Sequence, residues 1–396
     1  MDFGLTSGQR EIRDRTARFA DEEVAPHAAE LDQEDRVPFE TLEQLSEMGF
    51  MGLCVPEEYG GAGSDFLSYV LMLEEVSRAD AGLGATLAVH TSAGTLPILT
   101  YGDEDQRSRW IPPLAMGEGI GCFALTEPET GSDASAIRTR AEKVAGGYRL
   151  SGHKQWITNG RIAGTMVVFA RVEGGDGVGG ITAFVTGMDA DGISFGKHAR
   201  KMGVISATTD DVLLDNVFIP EEDLLGGEGK GLSVALGTLD PGRIGVAAQA
   251  LGISEAAFRY ATGYATRRET FGKPIAEHQA VAFKLADMQT RIRAARLLTY
   301  EAAWMKDRGE RVTEAGARAK LYASETANEV TNDAVQVLGG RGYMKDESPV
   351  ERHYRDARVT EIYEGTSEIQ RLVISRGLLR EHAESLEVPD ERPVVG

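Results

Sequence analysis

Cysteine is scarce in this chain, with only Cys54 and Cys122 among 396 residues. The two are far apart in sequence. In a chain this long they make no disulfide framework, which excludes the small stapled secreted class. Long apolar runs are also missing. Nothing approaches the roughly 18 consecutive apolar residues of a membrane helix, so no membrane insertion is expected. The start, Met1-Asp2-Phe3-Gly4-Leu5, is acidic and lacks the basic-then-apolar order of a secretory signal. Without an address signal, a cytoplasmic location is expected. Positive charge is in deficit: 42 Lys+Arg against 62 Asp+Glu gives −20. That balance opposes binding to phosphate backbones or anionic lipid, so no nucleic-acid partner is expected. A local basic pocket for a phosphorylated cofactor remains compatible with it. The seven histidines show no HExxH and no paired spacing with cysteine, so no metal site is expected.

What is present is enough apolar residue, 42%, to bury a sizeable core, and enough length for two or three domains. Three textures divide it. Residues 1–120 read as an N-terminal helical domain. Thr6 and Gln9 have capping-box spacing ahead of an amphipathic run, and residues 66–90 resume a helical pattern. Residues 121–228 read as a middle β domain. Met166-Val167-Val168-Phe169, Ile181-Thr182-Ala183-Phe184-Val185 and Val212-Leu213-Leu214 are β-prone, with glycine-rich turns between them. Such spacing suggests an antiparallel barrel or sandwich rather than a parallel βαβ sheet. Residues 229–383 return to helix. Val281, Leu285, Met288, Ile292, Ala295 and Leu298 repeat at three and four residues, as in an antiparallel bundle. Residues 384–396 are polar and contain proline, so a frayed tail is expected.

Two motifs are decoys. Gly175-x-Gly177-x-x-Gly180 matches a dinucleotide fingerprint, but a strand follows it where a helix is required. Gly192-x-Ser194-x-Gly196 matches a nucleophile elbow and lacks the same helix.

Four constellations are better placed to carry chemistry. In Ile362-Tyr363-Glu364-Gly365-Thr366-Ser367-Glu368-Ile369-Gln370, Ser367 and Gln370 have capping-box spacing, so a helix opens there. Glu364 then sits just ahead of it, beside two bulky apolar residues. Burial raises such a carboxyl's pKa and the positive helix end lowers it. A base poised between these limits suits abstraction of a weakly acidic carbon proton. A surface glutamate near a helix start has the same spacing. Phe123-Ala124-Leu125-Thr126-Glu127-Pro128 with Gly131-Ser132-Asp133 can set backbone N–H groups against a flat polar ring, or form a turned loop. Gln155-Trp156-Ile157-Thr158-Asn159-Gly160 offers a ring cover and a hydroxyl donor, or a core Trp before a hairpin. Val337-Leu338-Gly339-Gly340-Arg341-Gly342-Tyr343 permits close approach to a pyrophosphate, and a helix C-cap explains its glycines equally well.

In this order and spacing the four resemble the acyl-CoA dehydrogenases over nearly the whole chain. Arg355-Asp356-Ala357-Arg358 and Arg371-Leu372-Val373-Ile374 look most like the short-chain, butyryl-CoA type. The resemblance implies an N-terminal helical domain, a middle β domain and a C-terminal four-helix bundle. It implies non-covalent FAD, with Phe123, Leu125, Thr126, Gly131, Ser132, Trp156, Ile157 and Thr158 around the ring. Arg268, Phe271, Gln279, Gln336, Val337, Leu338, Gly339 and Gly340 resemble residues reaching a neighbouring subunit's FAD, and Thr366, Ser367 and Glu368 the contacts after the base. Ser132, Asp240, Arg243 and Gly365 match substrate contacts. The implied reaction belongs to fatty acid β-oxidation. Glu364 takes the α proton of an acyl-CoA thioester, the β hydrogen passes to the flavin, and electrons go on to an electron-transfer flavoprotein. A homotetramer arranged as a dimer of dimers is implied. Some family branches carry the base on the bundle helix; here that position is Gly242. Gly82-Leu83-Gly84-Ala85 stands where the glutaryl-CoA branch has an arginine. An enoyl-CoA reductase, or an enzyme of branched or ω-carboxylated acyl groups, would use the same residues.

Overall fold

The structure, a computed structural model, describes residues 4–175 and 177–385. The expected polar tail therefore lies, from residue 386 onward, outside the described residues.

The capping box at the head of the chain forms as its spacing predicts. Thr6 Oγ1 accepts from Gln9 N at 3.2 Å, and Gln9 Oε1 accepts from Thr6 N at 2.9 Å. It opens α1 (Ser7–Phe19), followed by α2 (Ala28–Glu34), α3 (Phe39–Glu47), α4 (Phe66–Ala79), α5 (Ala81–Val89), α6 (Leu96–Tyr101) and α7 (Glu104–Ala115). A π-helical stretch, His90–Thr95, joins α5 to α6. Helix α5 is apolar all round and buried along its whole length, as such a helix must be. Only glycine fits two of its turns: a Cβ at Gly82 or Gly84 would lie 2.1 Å from Ser206 Oγ or Ser77 Oγ.

The strands are β1 (Gly121–Ala124), β2 (Arg140–Val144), β3 (Gly147–Thr158), β4 (Thr165–Val172), β5 (Ile181–Gly187), β6 (Ile193–His198), β7 (Thr209–Pro220) and β8 (Leu224–Leu225). All three β-prone stretches fall within strands β4, β5 and β7. The barrel is not borne out: the sheet is open, in the order β6-β7-β3-β2-β4-β5-β8, with β1 also on β4. Nor is it purely antiparallel, since β4 takes both β1 and β2 as parallel partners. Both decoys are structural: Ser194 lies in β6, and residues 177–180 form one 3₁₀ turn entering β5.

Strand β1 is held against the π-helical stretch. Gly121 N donates to His90 Nδ1 at 3.0 Å, and Asn159 Nδ2 donates to the Gly121 carbonyl at 3.2 Å. A Cβ on Gly121 would come within 2.8 Å of Gly94 Cα, so this crossing requires glycine on both sides. His90 is fully buried, and burial pushes its imidazole down to about 4, leaving it neutral and able to accept that bond.

After the sheet come α8 (Gly231–Ala265), a hairpin of β9 (Glu269–Thr270) and β10 (Lys273–Pro274), then α9 (Gln279–Asp307) and α10 (Thr313–Leu338). Short α11 (Gly340–Tyr343), α12 (Val350–Val359) and α13 (Ser367–Ser385) complete the described chain. Helices α8, α9 and α10 pack on one another, and α13 packs on α10. Met288, Ile292 and Ala295 of the predicted stripe are fully buried between them.

Candidate functional site

One cavity of about 210 Å³ gathers residues from all three parts of the chain. Phe123, Leu125, Thr126, Gly131 and Ser132 come from β1 and the loop after it. Trp156, Ile157 and Thr158 come from the end of β3, Arg243 from α8, and Glu364 and Gly365 from the turn before α13. Eleven sequence-derived positions thus meet in one place.

Strand β3 explains the Trp156 pose. Its pairing with β7 slips between Lys154 and Ile157, a bulge that puts Trp156 at φ 57°. Lys154 and Ile157 therefore point inward, fully or almost fully buried, while Trp156 stays 61% exposed. Buried Lys154 donates to Glu127 Oε1 at 2.8 Å and to the Leu125 carbonyl at 3.2 Å. Glu127 also accepts from Arg138 N, Thr139 N and Thr139 Oγ1. Burial alone would raise this carboxyl's pKa. The Lys154 charge and these donors outweigh it and bring Glu127 below the usual carboxylate range. Gln155 N adds a bond to the Thr126 carbonyl at 2.9 Å, so loop and bulge form one unit.

Facing them, Glu364 is at φ 54° and Gly365 at φ 92°, two consecutive left-handed residues. Gln370 Nε2 spans the turn, donating to the Glu364 carbonyl at 3.1 Å and the Gly365 carbonyl at 2.8 Å. This corrects the expected capping box. Gln370 reaches past the helix start, Thr366 Oγ1 accepts from Ile369 N at 3.4 Å, and the buried Ser367 Oγ has no hydrogen-bond partner. Glu364 is half-buried, and burial still pushes its carboxyl up to about 7 against the pull of Arg243 and Lys320. Its carboxylate occupies the space above Gly242, where a Cβ would lie 2.7 Å from Glu364 Oε2. Arg243, 4% exposed, pairs with Asp240 at 2.7 Å, while its Nε is buried without a partner. The Tyr363 hydroxyl donates to Gln249 Oε1.

Other expected residues lie elsewhere. Arg268, Phe271 and Gln279 sit at the β9–β10 hairpin and the start of α9, all exposed, with Phe271 at φ 53° and 96% exposed. Gln336 is exposed at the end of α10, and Gly339 and Gly340 lie open, with nothing within 4 Å of an added Cβ. Val337 and Leu338 are buried in the helical core, which leaves their backbone as what they can offer. None of these lines the cavity; nor do Asp240, Thr366, Ser367 and Glu368. Sequence reasoning missed Val89, Ala93, Ala134, Leu236, Leu239 and Ile369 in the lining, and buried Lys320 beneath it. The apolar ones carry no signal beyond helical periodicity. A lysine in a helical run reads as solvated.

The residues present fit a flat ring system. An exposed indole is held rigid on a bulge, Gly131 has open space around it, and the buried Arg243 Nε is unsatisfied. The acyl-CoA dehydrogenase N-terminal, middle and C-terminal domain models match residues 6–118, 122–217 and 229–379. The chain belongs to the acyl-CoA dehydrogenase family, FAD-dependent oxidoreductases acting on CH–CH bonds. It is 48% identical to an acyl-CoA dehydrogenase of Bacillus subtilis (strain 168), over 95% of this chain and 99% of that one. A solved butyryl-CoA dehydrogenase of Megasphaera elsdenii superposes with a TM-score of 0.94 at 43% identity, covering 96% of this chain and 100% of the other. A structure described as the electron transferring flavoprotein of Acidaminococcus fermentans contains a chain with a TM-score of 0.94 at 47% identity and the same coverage.

Proposed function

We propose that this enzyme oxidises short- to medium-chain acyl-CoA thioesters to trans-2-enoyl-CoA, with Glu364 as the base. One observation carries the reading: a glutamate raised to about 7 shares an apolar cavity with Trp156 and Thr158. A carboxylate with that affinity for a proton is a far better carbon base than a surface glutamate. FAD, when bound, supplies the two-electron acceptor. Phe123, Leu125, Thr126, Gly131, Ser132, Trp156, Ile157 and Thr158 would hold its ring. The Thr158 hydroxyl is a donor, and the apolar side chains exclude water. Glu364 accepts the α proton, and its own backbone N–H is a candidate donor to the thioester oxygen. Arg243, Asp240, Ser132 and Gly365 would hold the acyl-CoA.

The likeness to butyryl-CoA dehydrogenase supports a short acyl chain, and Gly82-Leu83-Gly84-Ala85, where the glutaryl-CoA branch has an arginine, speaks against an ω-carboxylated acyl group. The flavoprotein structure supports an electron-transfer flavoprotein as acceptor. We read the chain as three domains with boundaries near 120 and 228, assembled as a homotetramer. Among the described residues no helix is long and apolar enough to cross a membrane, and a cytoplasmic location accords with that.

Glu364→Gln should purify yellow, with FAD bound, and lose nearly all dehydrogenation. Turnover at the wild-type rate in that variant would remove Glu364 as the base. Anaerobic bleaching across a panel of acyl-CoAs should be fastest near four carbons; preferential reduction of enoyl-CoAs instead would make the enzyme a reductase.

A further inference from the structure

Lys320 is a lysine shut away from water. It lies in α10, 0% exposed, and its Nζ donates to the Gly365 carbonyl at 2.8 Å. That carbonyl already accepts from Gln370 Nε2, so α10 and the first turn of α13 grip the same oxygen. A neutral donor would suffice to satisfy that carbonyl, and burying an ammonium is costly. The charge therefore calls for a reason of its own, and the Glu364 carboxylate belongs to the very next residue.

We propose that Lys320 is a positioning residue for the base. Its buried ammonium pins the left-handed Glu364–Gly365 turn and supplies, together with Arg243, the positive field in which the Glu364 carboxylate ionises. This rests on Glu364 acting as the base.

The charged and titratable groups around Glu364 make the balance explicit. Helix α8 contributes Arg243 and Asp240, α10 contributes Lys320, α4 the buried Tyr69, the turn Glu361 and Tyr363, and α13 Glu368. Asp240 is occupied by Arg243 and by the Thr313 hydroxyl, and Glu361 by Arg358. Burial pushes Glu364 up, and Arg243 and Lys320 are the two groups that pull it back. Burial drives Lys320 itself down to about 8, with Glu364 and then Glu361 opposing the fall. Each of the pair thus favours the charged form of the other. Removing the ammonium leaves Glu364 with one cation fewer in the same apolar setting, so its proton is held more tightly.

The test uses the FAD-loaded enzyme carrying Lys320→Gln or Lys320→Met. Glutamine keeps a donor for the Gly365 carbonyl without the charge; methionine removes both. Two readouts apply: the pH dependence of kcat/KM, and infrared titration of the Glu364 carboxyl band, assigned by its absence in Glu364→Gln. The infrared measurement needs no turnover. Both readouts should move to higher pH by about one unit in both variants, with FAD retained. A Glu364 titration that coincides with wild type in the glutamine variant overturns the proposal and leaves Lys320 as a staple. Should Glu364→Gln itself keep full turnover, the base assignment fails instead, a result separable from the first.

Discussion

The Glu364 carboxylate lies over Gly242, where the missing side chain leaves it room. A Cβ on residue 242 would lie 2.7 Å from Glu364 Oε2, so a side chain there would push the carboxylate out of its present place. The pH dependence follows from the same environment. Burial raises the Glu364 carboxyl to about 7, so in the free enzyme it is protonated below that value and competent above it. The expected outcome is a kcat/KM that rises with pH through about 7 on its acid limb, measured with FAD saturated. A limb near the ordinary glutamate value would contradict the burial. The linkage sign is also fixed. Between the ordinary glutamate value and about 7 the native protein binds the extra proton, so this group's contribution to stability is present at low pH and fades as pH rises through about 7. That the carboxyl at 364 would meet an apolar setting was legible from its bulky neighbours. That it sat on two left-handed residues was not, because positive φ at a glutamate leaves no trace in composition.

At the scale of elements, the site depends on how β3 is tied to the loop after β1. The Glu127–Lys154 pair, 3% and 0% exposed, links the two segments that present Leu125, Thr126, Trp156 and Thr158 to the cavity. Removing one member of a buried pair strands the other charge, at a cost of about 3–5 kcal/mol. Glu127→Gln is therefore expected to lower stability by roughly that amount in urea unfolding, and to weaken FAD retention on gel filtration. A variant as stable as wild type would show that the pair is dispensable. Strand positions were readable because β4 and β5 are dense in Val, Phe, Ile and Ala. The bulge at Trp156 was not, since it arises from the register with β7, more than fifty residues further along. Nor was the openness of the sheet, or the parallel placing of β1 and β2 on β4. Local strand signals do not say which neighbour a strand will take. The first-turn glutamine of α13 was misread for a similar reason. Its spacing fits a cap, but Ser367 N donates to the Glu361 carbonyl instead, and Gln370 Nε2 donates to the Gly365 carbonyl.

Across the whole molecule, a second set of expected cofactor residues stands away from the cavity, most of it in the open. Phe271 is 96% exposed at the tip of the β9–β10 hairpin, and Gly339 and Gly340 are bare at the end of α10. A large apolar side chain so placed is free to be covered by another subunit. In the tetramer proposed above, Phe271→Asp should lower the mass seen by light scattering and speed FAD loss, with far-UV circular dichroism unchanged. A tetramer of undiminished mass would assign that hairpin no part in assembly. The textures of the sequence were readable because the middle segment follows a two-residue period and the segments on either side of it a helical one. The places where they touch were invisible, since they rest on single polar atoms.

The crossing at Gly121 is such a place. One peptide unit's worth of hydrogen-bonding capacity at the first residue of β1 is shared between an imidazole from the helical side and an amide from the far end of β3. Neither layer can loosen there without stranding a buried polar group on the other. Helices and sheet at this seam are therefore expected to loosen as one unit, two residues ahead of Phe123 in the cavity wall.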